Sequence, residues 1–191
     1  MTKQESLALW QDCLRGEQRA QRKLYDLFSH SLYLICLRYA RDHQEAKDML
    51  QEGFVKIFQD LHQFDADKGG LYTWMRRVAI NACLQYLRKN RNNWVSLTKE
   101  EFDPGYSEMM MEADENQTRR LLAYLQKLPE GYRIVFNLHV MEGYTHQEIA
   151  EWLGISPNTS KSQLFKAKSM LRKWLDRQAK SITGSKMALV K

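Results

Sequence analysis

The sequence predicts an all-α chain of two small helical domains, 1–94 and 118–177, joined by a flexible acidic linker at 95–117 and followed by a tail at 178–191. Three observations predict it. Every long periodic segment repeats its apolar residues at three- and four-residue steps, and no sustained alternation suggests a sheet. Pro104-Gly105 interrupts the chain inside a stretch with no clean apolar period. Charge divides at the same place: residues 1–94 hold fifteen Lys/Arg against eleven Asp/Glu, 95–118 one against seven, and 119–191 thirteen against five. Two basic blocks thus flank an acidic joint, which raises the odds of a polyanionic partner.

In the first domain, Leu24, Leu27, Phe28, Ile35 and Tyr39 suit one or two helices. From Gln44, the residues Ala46, Leu50, Phe54, Ile57, Phe58 and Leu61 form one apolar stripe of a further helix. The turn-like FDADKGG at 64–70 follows, and then a cluster of Trp74, Val78, Leu84 and Leu87. In the second domain Leu121, Leu122, Leu125 and Leu128 mark a helix closed by Pro129, and Ile134, Val135 and Leu138 mark another ending near Gly143.

The next two helices are specified by local chemistry. Thr145 to Glu148 reads as a capping box, and the helix it starts buries Ile149, Ala150 and Leu153 before Gly154 ends it. Ser156 is a second N-cap with Pro157 at the first helical position, where its missing N–H is harmless. Helix, tight turn and helix make a helix-turn-helix, the second domain's expected core. On its second helix Leu164, Ala167, Leu171, Trp174 and Leu175 share one face. Asn158, Thr159, Lys161, Ser162, Phe165, Lys166 and Ser169 are left for the others, a donor-rich surface of the kind a DNA major groove accepts.

A different face lies in the first domain. Opposite the apolar stripe, Asp48, Gln51, Glu52 and Val55 fall at i, i+3, i+4 and i+7, acidic and polar apart from Val55. That face would repel DNA and suits a protein. The later helix carries Arg76, Arg77, Arg88, Lys89 and Arg91, which suit phosphates.

Composition excludes several classes. Cys13, Cys36 and Cys83 are odd in number and form no CxxC, and the five histidines form no HExxH or HxH pair, so all eight read as structural and no metal or cofactor is expected. No glycine-rich phosphate loop or GxSxG elbow occurs, and the first domain has no nucleophile-plus-base constellation, which argues against an enzyme such as a recombinase. The longest apolar run, LYLICL at 32–37, is too short to span a bilayer, and the amino terminus lacks a signal core, so the chain is expected in the cytoplasm without membrane insertion. A helix-turn-helix alone would still fit a dimeric repressor or activator on palindromic half-sites.

The order QEAKDMLQEGF, then LYTWMRRVAINACLQYLRK, then LPEGYRIVFNLHVMEGYTHQEIAEWLGISPNTSKSQLFKAK resembles the bacterial extracytoplasmic-function sigma factors over residues 20–94 and 118–176. The resemblance implies a dissociable initiation subunit of RNA polymerase. By it, the Asp48, Gln51, Glu52 and Val55 face contacts the clamp helices of the largest catalytic subunit, and the flap of the second subunit is a further polymerase contact. It assigns −10 promoter DNA to Phe64 and Lys68 in the 64–70 loop and to Arg76, Arg77, Asn81, Gln85, Arg88 and Lys89, with Asn81 beside an unstacked base and Trp74 in the core. It assigns the −35 element to Asn158, Thr159, Lys161, Ser162, Phe165 and Lys166, and it implies an anti-sigma factor as a further partner. The chain departs from the pattern at Lys47, where an acidic residue is usual, at Ser160 in place of valine, and at Lys161, Lys166 and Lys168 in place of arginine. A lysine is a point charge without a bidentate fork, so these three anchor phosphate better than they read guanine.

Overall fold

The computed structural model describes residues 2–90 and 113–188, with side chains for 2–89 and 120–177. All regular structure among the described residues is helical. Contacts divide the chain into two compact units, Met1–Asn93 and Trp94–Lys191. The acidic run at 95–112 and Arg91 lie outside the described residues.

The first unit holds four α-helices: α1 (Lys3–Leu14), α2 (Gln18–Tyr39), α3 (His43–Asp60) and α4 (Leu71–Asn90), with a short 3₁₀ turn, Leu61–Gln63, after α3. Thr2 starts α1 with a full capping box: its hydroxyl accepts from the Glu5 N–H at 3.2 Å while its own N–H donates to the Glu5 carboxylate at 2.7 Å. Asp42 starts α3 by accepting from the Glu45 N–H at 2.8 Å. Glu45 is itself buried, receiving the Arg41 backbone N–H at 2.6 Å and the Arg41 guanidinium at 3.4 Å.

The core between these helices is closed by Leu24, Leu32, Tyr39, Met49, Ile57, Met75 and Leu87, each with almost no accessible surface. Leu27 departs from the expected pattern at 48% exposed, because it stands off the buried face of α2 that Leu24, Leu32 and Ile35 define. Cys36 and Cys83 meet inside the core at 3.7 Å as free thiols, and Cys13 is a third buried free thiol. Burial drives the Cys13 thiol up to about 11, and the neighbouring Cys36 together with burial drives Cys83 well above the usual thiol range.

The second unit runs α5 (Ala113–Lys127), α6 (Glu130–Phe136), a π turn (Asn137–Met141), α7 (His146–Leu153) and α8 (Pro157–Ala188). Leu125, Leu128, Ala167 and Leu171 form one cluster of its core, with Tyr124, Tyr132, Phe136, Met170 and Trp174 packed around them, and Ile134, Leu138, Ile149 and Leu164 are buried as well. Arg133 is 1% exposed, and its guanidinium donates to the Gln126 carbonyl at 3.0 Å, closing the last turn of α5. The π turn is set by the Glu142 N–H reaching Asn137 O at 3.0 Å.

Two further differences concern α8. Leu175, expected inside, is 48% exposed. The helix also continues to Ala188, beyond position 177 where the tail was expected to begin, since the intervening sequence has no proline and a single glycine.

Gly53 lies where α3 crosses α4. A Cβ there would sit 3.7 Å from Ala79 Cα and 4.0 Å from Ala82 Cβ, ordinary contact. Gly53→Ala is therefore accommodated and stabilises α3 by up to about 1 kcal/mol through helix propensity. Gly53→Leu must push the helices apart and destabilises by about 1–3 kcal/mol. Urea denaturation of both variants followed by far-ultraviolet circular dichroism should give midpoints on opposite sides of the parent chain.

Candidate nucleic-acid interface

In the first unit, the α3 face is laid out as its spacing dictates. Gln51 and Glu52 are exposed, Val55 is 54% exposed, and Asp48 is half-buried at the edge. Asp48 accepts from the Gln44 amide at 3.2 Å and meets the Tyr86 hydroxyl of α4 at 3.5 Å. Burial first, and then the negative charges of Asp48, Glu45 and Glu52, raise the Tyr86 hydroxyl. Within Glu45-Ala46-Lys47-Asp48 only Lys47 is exposed; Glu45 and Ala46 point inward. Glu52 and the half-buried Asp48 make the face acidic beside the apolar Val55, with Lys47 and Lys56 exposed at its flanks.

The outer face of α4 has the opposite character. Arg77, Asn81, Gln85 and Lys89 recur every four residues with Arg88 alongside, and all five are exposed. Arg76 is half-buried and engaged with its surroundings. The inward positions Met75, Ala79, Ala82 and Cys83 are apolar and buried. One side of the helix faces the core and the other presents donors in a row.

Ahead of α4, the loop 65–70 is folded on Asp65. Its carboxylate accepts the Asp67 N–H at 3.0 Å, its carbonyl accepts the Lys68 N–H at 3.1 Å, and the Lys68 ammonium sits 3.1 Å from its Oδ2. The Asp67 N–H and then Lys68 hold the Asp65 carboxyl below the usual carboxylate range. The Lys68 side chain is 83% exposed.

Phe64 corrects the sequence reading, which gave it to DNA. It is only 6% exposed, with its ring edge-on to Trp10 at 5.3 Å and tilted against Trp74 at 5.9 Å. Two tryptophans from different helices convert a loop-flanking phenylalanine into core. Trp10 itself was missed, because its partners lie more than fifty positions away and leave no local periodicity to read.

In the second unit, both helix starts of the helix-turn-helix are capped as expected. The Thr145 hydroxyl accepts from the Glu148 N–H at 3.2 Å and the Thr145 N–H donates to Glu148 Oε2 at 2.8 Å. Gly154 takes φ +65°, the left-handed conformation that ends α7, and Ser156 Oγ accepts from the Thr159 N–H at 3.0 Å to start α8.

Asn158, Thr159, Lys161, Ser162, Phe165, Lys166 and Ser169 are all exposed, and Phe165 at 75% is the most exposed large apolar side chain among the described residues. Lys166 lies 5.8 Å over the Tyr132 ring, which steadies its ammonium without removing it from solvent. Ser160 points the other way and shares a 2.9 Å hydrogen bond with His146 Nδ1 at the start of α7. His146 in turn stacks on His139 at 4.3 Å, whose Nδ1–H donates to the Tyr144 carbonyl at 2.8 Å. A buried serine thus ties α7 to α8.

Among the described residues there is no group of three or more His, Cys, Asp or Glu that could hold a metal ion, and no helix long and apolar enough to cross a membrane.

Comparison with known proteins places each unit in a described family. Residues 24–93 match Sigma-70 region 2 and residues 118–171 match Sigma-70, region 4. The RNA polymerase sigma-H factor of Pseudomonas aeruginosa is 28% identical over 186 residues, covering 92% of this chain and 96% of its own length. The ECF RNA polymerase sigma factor SigM of Bacillus subtilis is 26% identical over 152 residues, covering 78% of this chain and 91% of its own. The solved structure of CnrH in complex with the cytosolic domain of CnrY is 22% identical and covers 90% of this chain and 97% of that one, with a TM-score of 0.48.

The His146 environment gives a pH dependence. Burial, then His139, Lys161 and Lys168, lower its pKa below 6.5, so the unfolded chain takes up the proton more readily than the folded one. This contribution to stability is whole above about pH 6.5 and is lost as pH falls through the lower folded value. Thermal melting of the full chain between pH 8 and 5.5 should show a fall that His146→Gln reduces.

Proposed function

Since the chain belongs to the sigma-70 family, as an ECF sigma factor that directs RNA polymerase to promoters through its region 2 and region 4 domains, we propose a division of labour among its three exposed faces. Asp48, Gln51, Glu52 and Val55 on α3 bind the clamp helices of the largest polymerase subunit. Lys68 and the α4 residues Arg76, Arg77, Asn81, Gln85, Arg88 and Lys89 take the −10 element, with Asn81 beside an unstacked base. Asn158, Thr159, Lys161, Ser162, Phe165 and Lys166 lie in the major groove of the −35 element, with the second unit on the polymerase flap. The proposed domain limits are 1–94 and 118–177, and the site of action is the cytoplasm.

The observation that carries this reading is the opposition of charge within the first unit: an acidic face on α3 and a basic row on α4, built on one core. An acidic face cannot serve DNA, and a basic row serves phosphate well. Each DNA grip alone is weak and salt-sensitive, and attaching both to one polymerase turns the second into an intramolecular event. Opening the duplex costs a few kcal/mol per unstacked step, which is offset when the exposed base enters a protein pocket. An anti-sigma factor is proposed as the partner that withholds the chain from polymerase.

The test is reconstitution with core RNA polymerase, run-off transcription of genomic DNA from the source bacterium, and sequencing of the transcript 5′ ends. A shared promoter pair upstream of the starts is expected, and the absence of a holoenzyme would sink the reading. Glu52→Lys should weaken polymerase binding at least tenfold while leaving −35 binding intact. Lys166→Ala should leave the holoenzyme intact, weaken −35 binding, and reduce the log–log salt slope by about 0.9. Equal phenotypes for the two would refute the division of labour.

A further inference from the structure

Trp10 stands on α1, ahead of the residues that match region 2. Its indole N–H donates to the carbonyl of Leu61 at 2.9 Å, across 51 positions of sequence. The same carbonyl accepts the Phe64 N–H at 3.3 Å, so one oxygen joins α1 to the chain that leaves α3. The Trp10 ring then meets Phe64 at 5.3 Å with its plane at 77°, and Phe64 meets Trp74 at 5.9 Å.

Trp74 also holds the far end of the loop. Its backbone N–H donates to Gly70 O at 3.1 Å, one residue before α4 begins. The loop 65–70 therefore leaves from a phenylalanine clasped between Trp10 and Trp74 and returns to the residue that Trp74 holds. Between these anchors Asp67, Lys68, Gly69 and Gly70 are exposed. Without the α1 side of the clasp, Phe64 would keep Trp74 but lose the edge that fixes its tilt, and Leu61 O would lose one of its two donors.

We propose that Trp10 is a positioning residue for promoter opening: through Leu61 O and Phe64 it sets where the 65–70 loop presents Lys68 and its backbone to the separated −10 strand. The proposal rests on the assignment of that loop to −10 DNA made above. A loop that must catch a base as it leaves the stack gains from being held in place beforehand, because ordering it at that moment would add to the barrier. Trp10 itself need touch no nucleotide.

The experiment uses holoenzyme assembled from full-length chains carrying Trp10→Ala or Trp10→Phe, the latter keeping a ring without the N–H. Folding is checked by circular dichroism. The DNA is a promoter recovered from the run-off transcription, as a duplex and as the same sequence with a mismatched bubble across −10. Core-polymerase affinity and the rate of permanganate reactivity at −10 thymines are measured on both. The expected result is unchanged affinity, opening of the duplex slowed about tenfold in Trp10→Ala and less in Trp10→Phe, and most of the rate restored on the bubble.

Equal slowing on duplex and bubble, or a loss that follows polymerase affinity, would make Trp10 a general stabiliser and overturn the proposal. Asn81→Ala separates the premises. If it slows opening and Trp10→Ala does not, the positioning role alone falls; if both are inert, the assignment of this surface to −10 DNA falls and the proposal with it.

Discussion

The first unit depends on how closely α3 can approach α4. Gly53 presents no side chain to Ala79 and Ala82, so the two helices meet backbone to small residue, and Met49, Ile57, Met75 and Cys83 fill the space around that crossing. The face of each helix turned away from the crossing is then committed to solvent or to a partner. On α3 that face holds Glu52 and Val55, and on α4 it holds the row from Arg77 to Lys89. Two surfaces of opposite charge thus have a fixed separation set by the small residues between them. In the proposed division of labour, this crossing sets the distance between the surface given to polymerase and the surface given to DNA.

In the second unit the equivalent constraint is local. Capping by Thr145, the left-handed Gly154 and the Ser156-Pro157 start define both helices from within a dozen residues, so the reading surface of α8 exists before any partner arrives. The part-buried His146–Ser160 bond then ties α7 to α8, while the Arg133 guanidinium ties α6 to the end of α5. Lysines dominate its exposed side, which favours grip over discrimination. Phe165 is the exception, a large apolar ring held in water.

The sequence was legible wherever a short-range rule applied. Both helices of the helix-turn-helix, their caps, the apolar stripe of α3 and the charge of each outer face follow from spacing and capping, and the structure places them so. Periodicity identifies a face but not whether something lies against it, which is why Leu27 and Leu175 were expected inside and stand exposed. Phe64 failed in the opposite direction. Its neighbours Asp65 and Asp67 signal a surface turn, while its burial comes from Trp10 and Trp74, and only the first of these is remote in sequence. The π turn at 137–141 likewise has no signature in a pattern of apolar spacing.

The cysteines give the chain a practical property. Cys13, Cys36 and Cys83 are all sealed from solvent, and Cys13 and Cys83 are held in their unreactive protonated form. The folded surface over the described residues is therefore silent to maleimide dyes. One cysteine introduced on α4 and one on α8 would carry a donor–acceptor pair of fluorophores, and the distance between the two units on polymerase could be followed without first replacing any natural thiol.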